Sequence, residues 1–150
     1  MRTPVLLIVA VAVLLGASAV AYASESASSM SPKPTLKIRK SQFGPILFTT
    51  GNRALYAFLG DRRNGPSRCY GACAVAWPPY YAKGPLAAAP GVKRSLIKTI
   101  RRRGGRRQVT YNGWPLYTYV NEGPGVVKCQ NVNSFGGLWL VQRASGRLVR

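Results

Sequence analysis

Leu55-Tyr56-Ala57-Phe58-Leu59-Gly60-Asp61 is a run of aromatic and aliphatic residues closed by a glycine and an acid. Sixty-one residues further on, Leu116-Tyr117-Thr118-Tyr119-Val120-Asn121-Glu122 matches it position by position. Turn residues precede both runs, Gly51-Asn52 and Asn112-Gly113. A cysteine follows each, Cys69 and Cys129, and then a tryptophan, Trp77 and Trp139. In an extended strand, positions i and i+2 share a face, so Tyr56 with Phe58 and Tyr117 with Tyr119 form two matching aromatic edges. One unit of roughly 60 residues is too small to bury such a face alone, whereas two packed together share one core. The pattern predicts a mainly β fold: two degenerate repeats packed into one small antiparallel β domain, with short helical turns in the linkers.

The flanking segments fit that expectation. Leu36 to Arg39 and Ile46 to Thr50 read as short strands, and Asp61 to Ser67 as a polar loop. In Cys69 to Pro79, C-Y-G-A-C-A-V-A-W-P-P, the small residues favour a helical turn that Pro78-Pro79 cannot continue. Leu96 to Arg102 and Arg106 to Tyr111 flank Gly104-Gly105, a hairpin signal. Leu138 to Gln142 is the last long strand.

The N-terminus carries a different message. Arg2, the apolar run Val5 to Gly16 and the small-residue end Ala21-Tyr22-Ala23 follow the order of a secretory signal peptide, with cleavage expected after Ala23. Pro4 to Ala23 contains no charge and is also long enough to cross a bilayer uncut. Residues 24–35 are rich in Ser and Pro and read as a solvated linker, which places the β domain at 36–150. Export puts the protein outside the cytoplasm, either released or anchored through residues 4–23.

The chain has 22 Lys and Arg against three acids and no histidine, a net charge of +19. Losing Arg2 with the signal leaves +18. Such a surface attracts polyanions. For an exported protein these are envelope polymers and membrane headgroups, with nucleic acid bound only non-specifically. The lack of histidine removes the usual proton shuttle, the commonest metal ligand and the base of the common nucleophilic triads. The expectation is a non-enzymatic protein with no metal and no cofactor.

These residues resemble the bacterial secreted-repeat family of unknown function, also described as predicted lipoproteins with a Y-x-(F/W/Y)-x-x-D motif. Tyr56, Phe58 and Asp61 carry the motif in full. Tyr117 and Tyr119 carry it again, with Glu122 in place of the acid Asp. Cys69, Gly71, Cys73, Trp77, Pro78 and Pro79 match a C-x-G-x-C-x-x-x-W-P-P segment. Gln108, Tyr111, Asn112, Gly113, Pro115, Leu116 and Tyr117 match Q-x-x-Y-N-G-x-P-L-Y, and Gly136, Gly137 and Trp139 a closing G-G-x-W. The resemblance implies an exported β-rich domain and no particular activity. No cysteine precedes Cys69, so the lipid anchor of a lipoprotein has no acylation site here.

Four groups of residues are candidates for a role. Cys69 and Cys73 lie one helical turn apart, about 6 Å between Cα atoms and inside bridging range, and are the expected disulfide. Cys129 paired with either of them would instead close a loop of about sixty residues and staple the two repeats together, and whichever cysteine is left over is available to link two chains. The competing reading is that the C-x-x-x-C pair does thiol redox chemistry or handles a metal. Asp61 and Glu122 would make an acid/base pair only with a raised pKa. In so basic a chain they are expected beside arginine, which lowers it, and to cap turns or pair with Arg62, Arg63 or Lys128. The repeated aromatics Tyr56, Phe58, Trp77, Tyr117, Tyr119 and Trp139 read as core. The other reading is a sugar-stacking platform edged by Tyr80, Tyr81 and Trp114. Finally, Lys93 to Arg107 holds eight cations in fifteen residues. Arg101, Arg102, Arg103, Arg106 and Arg107 at its turn are the expected anion-binding group, since the guanidinium fork suits phosphate.

Overall fold

The computed structural model describes residues 32–150. The expected signal peptide and most of the linker lie outside the described residues. The chain is tied down one residue before the expected domain start. The Thr35 amide bonds the Ala87 carbonyl at 2.8 Å, and its hydroxyl accepts from the Ala87 amide at 3.0 Å.

The domain is mainly β. A hairpin of β1 (Leu36–Ser41) and β2 (Gly44–Thr49) forms a two-stranded antiparallel sheet. A second antiparallel sheet has six strands: β3 (Tyr56–Phe58), β4 (Ile97–Arg101), β5 (Arg107–Tyr111), β6 (Trp114–Tyr117), β7 (Val132–Ser134) and β8 (Gly137–Val141). Their order is β4-β5-β6-β3-β8-β7. Among the described residues helix is confined to α1 (Ala72–Ala76) and a 3-10 turn at Arg94–Leu96. The strand β7 was not foreseen, because Val132-Asn133-Ser134 is too short and too polar to carry an alternating signal.

The two matching runs lie side by side at the centre of the larger sheet. β3 pairs with β6, Tyr56 opposite Tyr117 and Ala57 opposite Leu116. The second run is strand only to Tyr117. Beyond it the backbone turns to the segment around α1, with Thr118 donating to Pro78 at 3.0 Å and Val120 to Ala76 at 3.0 Å. On the far side of β3, Tyr56 faces Val141 and Phe58 faces Trp139. On the far side of β6, Tyr117 makes an isolated bridge to Pro79.

Strand alternation splits the interior in two. Ile46, Phe48, Tyr56, Phe58, Trp77, Tyr117 and Trp139 fill one cluster. Leu47, Leu55, Ile97, Val109, Tyr111 and Leu116 fill another on the opposite faces of the same strands. The first is built on a stack of rings. Trp77 lies flat on Trp139 with centroids 3.8 Å apart and planes 2° from parallel. Phe58 stacks on Trp139 at 4.3 Å, and Tyr119 meets Trp77 at 4.7 Å with its plane tilted by 43°. Tyr56 meets Trp77 edge-on at 5.2 Å, and Tyr117 meets Trp139 likewise at 5.2 Å. Each such pair adds about 0.5–1.5 kcal/mol beyond simple burial. The rings of Tyr56, Tyr117, Trp77 and Trp139 are fully enclosed, so they form core and offer no platform to a sugar.

Candidate anion-binding site

The long hairpin forms as its sequence suggests. β4 and β5 pair from Ile97–Tyr111 to Arg101–Arg107. Gly104 and Gly105 close the turn at φ +81 and +84, where a side chain would be strained. Of the five arginines, Arg101, Arg103, Arg106 and Arg107 are exposed and Arg102 is not. The expectation of five arginines at an open tip is corrected in that one case. The Arg102 guanidinium turns inward and is satisfied there. Nη1 donates to Ser67 Oγ at 2.6 Å and to Gln108 Oε1 at 2.9 Å, and Nη2 donates to the Cys69 carbonyl at 2.5 Å. A buried cation without such partners would be costly.

Those contacts fasten the hairpin to the loop before α1. Arg102 and Arg103 both lie over the Tyr70 ring, their Cζ atoms 4.1 and 4.7 Å from its centroid. On the other side of the hairpin, Arg106 covers the Tyr81 ring at 3.5 Å. Cation–π contact of this kind holds long side chains in place and leaves their N–H edges free. A cleft of about 570 Å³ opens between the loop and the hairpin, lined by Ser67, Arg68, Tyr70, Arg101, Arg102 and Arg103 among others. Arg68, Ser67 and Tyr70 were not singled out in the sequence. Arg68 stands next to Cys69 in a loop already rich in arginine, but no local pattern says that a hairpin thirty residues later folds back onto it.

Asp61 and Glu122 are both buried. They take hydrogen bonds crosswise from the central strands. Tyr117 donates to Asp61 Oδ2 at 2.6 Å, and Tyr56 to Glu122 Oε1 at 2.8 Å. Each carboxylate also caps the loop that follows it. Asp61 accepts the Arg68 amide at 2.6 Å, and Glu122 the Lys128 and Cys129 amides at 2.6 and 3.0 Å. The capping role holds, with backbone amides of Arg68 and Lys128 as the partners. Arg63 instead bonds the Asn112 carbonyl at 2.8 Å. The expected lowering of the acid pKa is corrected for Asp61. Burial raises it, and the Tyr117 and Arg68 hydrogen bonds and the Arg102 charge only partly oppose that. The Tyr56 and Tyr117 phenols are pushed far up by burial and by the carboxylates they serve, so neither acts as a base.

Cys69 and Cys73 form the disulfide, their Cα atoms 5.2 Å apart. Cys129 is a free thiol, buried, and pushed up to about 11 chiefly by burial and then by the Glu122 charge. Tyr80 and Tyr81 are half-buried and line a separate cleft of about 490 Å³ with Thr35, Thr50 and Pro85. Trp114 opens β6 and is half-buried. Among the described residues no three of His, Cys, Asp and Glu gather in one place, and no helix is long and apolar enough to cross a membrane.

The fold and this surface define a small, basic, disulfide-bearing β domain. A family model described as a secreted repeat of unknown function matches residues 98–142, from within β4 to just past β8. No curated protein and no solved structure matches the chain. The family's description agrees with an exported protein of unknown activity.

Proposed function

We propose that the protein is an exported, non-enzymatic envelope component that binds anionic surface polymers or headgroups through its arginine hairpin. One observation carries this reading. Of the three acids in the sequence, Asp61 and Glu122 are buried, so among the described residues every exposed ionic side chain is a cation. No acid among the described residues competes with an outside anion for Arg101, Arg103, Arg106 and Arg107. Two of the hairpin arginines are already held against tyrosine rings, which reduces the side-chain entropy lost on binding.

The architecture behind the hairpin is, in this reading, two copies of one unit related by a two-fold axis between β3 and β6. Support comes from paired contacts. Tyr56 opposite Val141 has its counterpart in Tyr117 opposite Pro79. Tyr56 to Glu122 has its counterpart in Tyr117 to Asp61. Leu47 donating to Gln142 corresponds to Val109 donating to Tyr80. The β1–β2 hairpin then corresponds to β4–β5. Only the second hairpin carries the extended arginine turn, so the binding function belongs to one half.

The test is retention of the secreted chain on a phosphate-bearing cation exchanger. Replacing Arg101, Arg103, Arg106 and Arg107 with serine while keeping Arg102 removes the exposed group without emptying the buried one. The expected result is elution at clearly lower salt with an unchanged unfolding midpoint. Retention equal to that of a variant lacking four cations elsewhere on the surface would refute the assignment to the hairpin.

A further inference from the structure

The cleft between the hairpin and the Ser67–Tyr70 loop has more structure than a diffuse charged surface requires. Four guanidinium groups line it, from Arg68, Arg101, Arg102 and Arg103, and no acid does. One of the four is fixed. Three of the five N–H groups of Arg102 are taken by Ser67, Gln108 and the Cys69 carbonyl, leaving two on a side chain that lines the cleft. Its back wall is covalently braced, because the Cys69 carbonyl it grips belongs to the disulfide.

Its charge is balanced at a distance. Arg102 donates to Ser67 Oγ, which lies 2.7 Å from Tyr117 Oη, and Tyr117 donates to Asp61 at 2.6 Å. Two hydroxyls thus stand between cation and carboxylate, and Asp61 holds Arg102 in place without occupying the cleft. The remaining three arginines are exposed; Arg103 is held on the Tyr70 ring, and Arg68 and Arg101 close on a ligand from the rim. Tyr70 supplies the floor.

We propose that this cleft is a discrete oxyanion site for a phosphate group, as monoester or diester. Arg102 forms its preset wall and Arg68, Arg101 and Arg103 complete the cage. The proposal rests on the anion-binding reading above and narrows it to one place and one chemistry. Phosphate fits better than carboxylate for a counting reason. A carboxylate offers two coplanar oxygens and one charge and is saturated by one or two forks, whereas a phosphate monoester offers three terminal oxygens and up to two charges. Even a diester, with one charge on two unesterified oxygens, spreads its four oxygens tetrahedrally rather than in one plane. The cleft volume of about 570 Å³ leaves room for whatever the phosphate is attached to.

The experiment is a titration of the full secreted chain with inorganic phosphate at constant ionic strength, followed by calorimetry. Two double variants remove equal charge: Arg68→Gln with Arg103→Gln, and Arg106→Gln with Arg107→Gln. The expected result is saturable one-to-one binding, weakened about tenfold or more by the first pair and less than twofold by the second. Equal weakening by both pairs, non-saturating binding, or equal binding of acetate would overturn the site. If the wild type stays on the exchanger while phosphate fails to saturate, the cleft falls and the general reading stands. If retention is also insensitive to the hairpin arginines, both fall. Glycerol phosphate and phosphatidylglycerol vesicles then compete against inorganic phosphate. Displacement by glycerol phosphate alone assigns the cleft to soluble or polymer phosphates, and displacement by both extends it to lipid headgroups. Displacement by neither overturns it.

Discussion

Tyr117 Oη links two systems that the sequence keeps apart, the buried acid Asp61 and the buried cation Arg102, through Ser67. Removing it should cost more than removing its counterpart. Tyr56→Phe leaves Glu122 with two backbone donors, whereas Tyr117→Phe leaves Asp61 with only the Arg68 amide. Urea unfolding should show a loss of about 1–3 kcal/mol for Tyr117→Phe and a smaller one for Tyr56→Phe. The reverse order would show that the hydroxyl chain carries no weight. Asp61 also sets a pH dependence. Its folded pKa lies above the ordinary value of 3.8 because burial outweighs its hydrogen bonds. The unfolded chain therefore ionises first as pH rises. The ionised group costs stability above the folded pKa, and the cost is relieved as pH falls through it toward 3.8, below which no difference remains. Relative to Asp61→Asn, the wild type should lose stability with rising pH in that window. Parallel profiles of the urea midpoint against pH would contradict the assignment.

The elements depend on a few close approaches. β8 runs so near the end of β3 that a Cβ on Gly137 would sit 2.6 Å from the Gly60 amide nitrogen and 2.8 Å from the Phe58 ring. Gly137→Ala should disrupt the β3–β8 ladder and with it the seat of Trp139, at a cost of about 1–3 kcal/mol in chemical denaturation. An unchanged midpoint would mean that the ladder is not tightly packed there. The strands β3 and β6 were legible, though not their pairing, because Leu55–Asp61 and Leu116–Glu122 announce themselves twice, with turn residues in front and alternating aromatics within. The β4–β5 hairpin was legible because Gly104-Gly105 is a strong turn between strand-forming runs. β7 was not, since three residues with no buried side chain leave no periodic trace. The early end of β6 was not legible either. Thr118 and Tyr119 have good strand propensity, but their backbone partners lie around α1, and only the tertiary fold brings those there.

At the scale of the whole molecule, the arrangement segregates charge by sign. The described acids are inside, one cation is drawn in with them, and the other described arginines and lysines are exposed apart from the half-buried Lys37 and Arg53. Composition made the excess of cations legible, and the arginine run located the hairpin. It could not divide the five arginines. Arg102 differs from its neighbours only in the direction it faces, which depends on Gln108 in the facing strand and on Ser67 and Cys69 meeting it from a distant loop. The part played by Arg68 and Tyr70 was hidden for the same reason. The most direct test of the central claim is the salt dependence of binding to a linear phosphate polymer, for the wild type and the variant with Arg101, Arg103, Arg106 and Arg107 replaced by serine. The account predicts that the slope of log K against log salt becomes shallower by roughly 0.7–0.9 for each arginine that had gripped a phosphate. Two parallel lines of equal slope would show that the hairpin does not touch the polymer, and would contradict it.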